Sequence, residues 1–128
     1  MTYKNFEDID IWKDARLLAV EVFKITLESP FKSDYKFRDQ IRASSSSIMD
    51  NIAEGFERGS NKEFIQFLFI AKGSCGETRS QLYRALDINY IQKESFDNLY
   101  AKTISLSNQI TGFIGYLKNS ENKGYKYH

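Results

Sequence analysis

The sequence predicts an all-α protein, an antiparallel up-and-down four-helix bundle forming a single domain over residues 1–128. Three observations predict it. Apolar residues recur at spacings of three and four through four long segments, as one buried face of a helix requires. No segment alternates apolar and polar residues in the manner of a half-buried strand. The chain holds one proline, Pro30, so it has few forced breaks.

The first helix is expected over about 8–28, with Ile11, Ala15, Leu18, Val22 and Ile25 on one stripe and Trp12, Ala19 and Phe23 widening it. Ser29 to Asp34 breaks it, because proline disfavours a helical residue before it. The second helix, about 35–58, turns Phe37, Ile41, Ile48, Ile52 and Phe56 inward. Gly59 stands where a left-handed cap would end it. Ser60 and Glu63 then form the capping-box spacing that opens a third helix over 61–87. Its stripe is Phe64, Leu68, Ala71, Cys75, Thr78, Leu82 and Ala85. The fourth helix, about 93–117, repeats Phe96, Leu99, Thr103, Leu106, Ile110, Phe113 and Leu117. Short connections make neighbouring helices antiparallel. The polar residues 118–128 read as a flexible tail.

Composition narrows the function. At 41% hydrophobic and 27% charged residues the chain is neither disordered nor membrane-embedded. Its apolar runs fall short of the ~18 residues of a membrane span. The N-terminus lacks the pattern of a secretory signal, so a cytoplasmic location is expected. Cys75 is the one cysteine and His128, the last residue, the one histidine; metal, redox and cofactor sites are therefore not expected. A net charge of +1, from 18 basic and 17 acidic residues, supplies no bulk attraction for nucleic acid.

Several constellations invite chemistry. Folding the middle helices about Gly59 sets Ser44 to Ser47 opposite Ala71 to Gly76, a seam of small residues. A serine nucleophile would need a base and an orienting group, and no internal histidine exists to serve; close helix packing is the expected role. Gly73 and Gly76 lack the spacing and preceding strand of a phosphate loop, so tight packing is expected there too. Ser47, Asn51, Glu54 and Arg58 share one lane, and Glu63, Ser74, Glu77 and Gln81 another. These lanes read as a hydrogen-bond network that fixes helix register, since the Glu-x-x-His of carboxylate metal bundles is absent. No catalytic residue and no small-molecule substrate emerge.

Two surface features remain. Arg38, Arg42, Lys72, Arg79 and Arg84 are candidate nucleic-acid contacts, provided the fold or an oligomer gathers them on one surface. Aromatic residues make 15% of the chain, and from Phe64 to Ile70 apolar residues encircle the third helix. One core covers one face, so Ile65, Phe67, Phe69 and Ile70 form a candidate homo-oligomer interface.

The run Asn51-Ile52-Ala53-Glu54-Gly55-Phe56, followed by Arg58, Ser60, Glu63, Phe64, Phe67, Gly73-Ser74, Glu77 and Gln81, resembles the 23S rRNA intervening-sequence protein family. The likeness extends from about Phe6 to Leu117. Met49-Asp50 stands where many relatives carry a proline, so no proline kink is expected in the second helix. The resemblance implies an up-down bundle without enzymatic activity that assembles into pentameric rings. It also implies kinship with retroelement accessory proteins linked to nucleic acid, which are more basic than this chain. The combined reading is a non-enzymatic homo-oligomer, with RNA or DNA as partner and no membrane contact. The alternative is a protein-interaction module without nucleic-acid contact.

Overall fold

The four apolar stripes close on one another as one core. The computed structural model describes residues 3–122. Its helices are α1 (Asp10–Ile25), α2 (Tyr35–Glu57), α3 (Asn61–Asp87) and α4 (Lys93–Asn122), with 3₁₀ turns at Phe6–Asp8 and Phe31–Ser33. Each helix packs on its neighbours in the chain, and α1 closes the bundle against α4. The predicted inward residues of α2 and α3 are all buried. No helix among the described residues is long and apolar enough to cross a membrane.

The helix ends follow local chemistry. The Ser60 hydroxyl accepts from the Glu63 amide at 3.2 Å and donates to the Glu63 carboxylate at 3.3 Å, which starts α3 where the capping-box spacing places it. Gly59 adopts φ +88°, the left-handed conformation that favours glycine. Asp34 caps α2 by accepting from the Phe37 amide, while its second oxygen accepts from the Tyr90 hydroxyl at 2.8 Å. One carboxylate thus joins the start of α2 to the α3–α4 connection.

Four expectations need correction. Helix α1 ends at Ile25 rather than near Glu28, because the buried Thr26 turns both its amide and its hydroxyl onto the Phe23 carbonyl and tightens the last turn. Phe23 itself lies outside the core, 46% exposed. Helix α4 runs to Asn122, so residues 118–122 are helical and not a flexible tail. Contacts with α3 hold that last turn: Asn61 donates to the Leu117 carbonyl, Lys118 lies over the Phe69 ring, and Ser120 is buried. The rest of the expected tail, 123–128, lies outside the described residues.

The fourth correction concerns the glycines. Gly73 and Gly76 face open space, with nothing within 4 Å of where a Cβ would stand, so tight packing does not explain them. The close approach occurs at Gly55, where a Cβ would meet the Phe67 Cβ at 2.6 Å and the Phe64 ring at 2.9 Å. Phe31 is a further buried residue, in the segment read only as a helix break. It fills the lower core against Phe37 and Tyr90.

Candidate nucleic-acid interface

The bundle distributes the five candidate cations over three of its sides. Arg42 leans on α1: its Nε donates to the Thr26 hydroxyl at 2.8 Å, and its guanidinium sits 4.2 Å from the Phe23 ring centroid. Arg38, one turn earlier, pairs with Asp39 at 3.0 Å and covers the Tyr35 ring. Arg84 lies on the α2–α3 side, over the Phe37 ring at 4.2 Å. Arg79 occupies the opposite flank of α3, beside Cys75 and Tyr83. Burial pushes the Cys75 thiol up to about 11, and the Arg79 charge opposes that rise. Lys72 precedes Arg79 by two turns on the same flank.

The two polar lanes meet across the α2–α3 seam. Ser47 and Ser74 share a hydrogen bond at 3.0 Å, with Asn51 donating to Ser47 from α2. The buried Ser44 hydroxyl contacts Thr78 at 2.9 Å and donates to Gln81, whose amide points to Glu77 at 3.4 Å. Above these groups runs an open groove of about 420 Å³, lined by Gln40, Ser44, Ser74, Glu77, Gln81 and Arg84. At the hairpin end Arg58 pairs with Glu54 at 2.9 Å and Glu63 at 3.6 Å, and its guanidinium covers Phe67. The hydrogen bond with Glu54 raises the Arg58 pKa.

The candidate interface residues separate as well. Ile65 and Phe67 are half-buried against the molecule's own packing, whereas Phe69 and Ile70 stay 50% and 52% exposed. Beside Phe69 lies a face whose charge the net total conceals. Helix α4 carries no acidic residue from Asn98 to Ser120, and α3 carries only Glu77 between Phe64 and Leu86. Glu77 lines the groove on the α2 side. The α3–α4 side therefore presents Lys72, Arg79 and Lys118 with no acid among them. At its far end Tyr83 packs on Phe96 and Tyr100, with centroids at 4.9 Å and 5.8 Å. The neighbouring Tyr100 phenol raises the Tyr83 pKa, and the Arg79 charge again opposes the rise. No three His, Cys, Asp or Glu side chains gather for a metal ion among the described residues.

The sequence profile described as 23S rRNA-intervening sequence protein matches residues 7–112. The chain belongs to that family. A solved structure from Bacteroides thetaiotaomicron, described as a protein of unknown function from the S23 ribosomal protein family, superposes with a TM-score of 0.74. It is 22% identical, and the match covers 81% of this chain and 97% of that one, a likeness of fold alone. No curated protein matches the chain.

In this 23S rRNA-intervening sequence protein, the motif that carries the likeness builds the α2–α3 hairpin. Asn51 anchors Ser47, Glu54 and Arg58 tie the hairpin to Glu63, and Gly55 admits Phe64 and Phe67. Phe56 meets Phe64 edge-on at 6.0 Å. Reasoning from net charge missed Tyr83, Tyr100 and Lys118 as neighbours of Lys72 and Arg79. The acid-free stretch 98–120 is the signal that finds Tyr100 and Lys118.

Proposed function

We propose that this family member is a non-enzymatic, cytoplasmic homo-oligomer that associates with nucleic acid as a scaffold or accessory subunit. The acid-free α3–α4 face with Lys72, Arg79 and Lys118 carries the reading, because a polyanion meets cations there without opposing carboxylates. Arg38, Arg42 and Arg84 serve packing on the other sides. Self-association is supported by the exposed Phe69 and Ile70. With five subunits, as the family resemblance implies, each weak cationic face recurs around a ring and gains avidity through effective concentration.

A non-catalytic role is supported by the state of the nucleophiles. Ser44 and Ser47 are committed to hydrogen bonds across the seam, and burial keeps Cys75 protonated. The test is an electrophoretic mobility shift with structured RNA and DNA at about 50 and 200 mM salt. Binding that weakens steeply with salt is expected. Absent or salt-insensitive binding would replace nucleic acid with a protein partner.

A further inference from the structure

We propose that the α3–α4 face takes single-stranded RNA, with one base stacked on Tyr83 while Arg79 and Lys72 hold the phosphates that follow. The inference rests on the nucleic-acid reading of the same face and assigns the class of strand and the residue that selects it.

Tyr83 is 47% exposed, and its neighbours are placed to hold the ring without covering it. Phe96 and Tyr100 stack on each other at 27°, yet they meet Tyr83 at 58° and 77°. Neither ring stacks parallel on Tyr83, and about half of its surface stays open to a ligand. A base already paired and stacked in a duplex cannot use such a surface, whereas an unpaired base can.

The cations continue from the ring along one flank. Arg79 stands one turn from Tyr83, about 6 Å along the axis, and Lys72 a further ~10 Å. Between them Gly76 has nothing within 4 Å of where a side chain would begin, so a sugar–phosphate chain can lie close to the helix. The first acid beyond this stretch on α3 is Asp87, one turn past Tyr83. Across the face, the Sγ of Cys75 lies against the Thr103 carbonyl, which sets α4 alongside. Two turns on, the Thr111 hydroxyl donates to the Ser107 carbonyl at 3.1 Å, leaving its oxygen free to accept from a ribose 2′-hydroxyl. Stacking surface, phosphate-holding cations and a 2′-hydroxyl acceptor thus share one face.

The experiment is a fluorescence-anisotropy titration of the full chain with a short labelled oligouridine, the same strand annealed to oligoadenosine, and the matching oligothymidine. Tyr83→Leu keeps apolar packing against Phe96 but removes the π face, and Tyr83→Phe keeps the face. We expect the parent to prefer single-stranded RNA, Tyr83→Leu to weaken that binding about tenfold, and Tyr83→Phe to retain it. Duplex binding should be the same for all three proteins. Single-strand binding by Tyr83→Leu equal to the parent's overturns the proposal, and DNA bound as tightly as RNA overturns the assignment to RNA. Binding of single strand and duplex alike, unchanged in either variant, removes stacking and leaves the charged face standing. A parent that binds none of the three strands removes both readings. A 2-aminopurine placed in the strand reports stacking on the parent directly. Its fluorescence should fall on binding, and unchanged fluorescence in the bound strand overturns the proposal even if Tyr83→Leu does not fold.

Discussion

Gly55 and Phe67 meet so closely that a methyl group on residue 55 would stand 2.6 Å from the Phe67 Cβ. That atom is fixed to the α3 backbone and cannot swing aside as the tip of a long side chain does. Overpacking a tight contact costs about 1–3 kcal/mol. The helix propensity gained over glycine, ~1 kcal/mol, offsets only part of it. Gly55→Ala is therefore expected to lower the melting temperature. Gly73→Ala, which meets open space, should raise it by adding up to ~1 kcal/mol of stability. Thermal denaturation of the two variants checks the opposite signs.

Arg42 acts as a buckle between α2 and α1. Replacing it with alanine removes a charged hydrogen bond to the buried Thr26 and the cover over Phe23. A loss of about 1–2 kcal/mol in urea unfolding is expected. RNA retention measured below the unfolding transition should not change. If it falls in proportion to that of an α3 variant, the nucleic-acid surface extends to the α1 side.

Charge reversal addresses the α3–α4 face itself. With three cations engaging a single strand, log K should fall with log salt at a slope of about −2. Lys72→Glu combined with Arg79→Glu should abolish binding while helicity and oligomer mass stay unchanged. Binding by the double variant with the parent's slope would move the site elsewhere.

Self-association has its own test. Phe69 and Ile70 are each about half exposed, and a second copy covering them would bury both. Light scattering should report a mass several times 14.9 kDa for the parent. Phe69→Glu with Ile70→Glu should yield a folded monomer. A monomeric parent at micromolar concentration would end the interface reading.

Cys75 supplies a pH-dependent check. Burial raises its pKa from 9.0 to about 11, so the folded chain holds the thiol proton over a range where the unfolded chain releases it. This contribution to stability is constant below pH 9 and declines as pH rises from 9 toward 11. Native protein at pH 8 should react slowly with a thiol reagent, and denaturant should accelerate the reaction. Equal rates in the folded and unfolded chain would show Cys75 to be accessible.

The helices were legible because periodicity and caps are local properties. Ser60, Glu63 and Gly59 mark the α2–α3 boundary through interactions within a few residues, and the structure keeps that boundary. The ends of α1 and α4 were less legible. Whether Thr26 halts one helix and Ser120 prolongs another depends on Arg42 and on the packing of α3, which lie far away in sequence. The glycines show the same division. Composition reveals that Gly55, Gly73 and Gly76 are small, but the partner that makes smallness necessary lies across the hairpin, and only Gly55 has one within the chain.

For the candidate site, the sequence by itself determined the chemistry available: serines without a catalytic base, one cysteine, balanced charge, and an acid-free run through α4. Side-chain identity and spacing along one helix suffice for those conclusions. Only the tertiary structure decided which cations share a side. Arg42 and Arg79 look equivalent as residues on amphipathic helices, yet their flanks point toward different neighbours, α1 for one and Tyr83 for the other. Rotation of each helix about its own axis is set by packing of all four stripes at once. The separation of Arg42 from Arg79, and the meeting of Arg79 with an exposed tyrosine, are therefore properties of the assembled core.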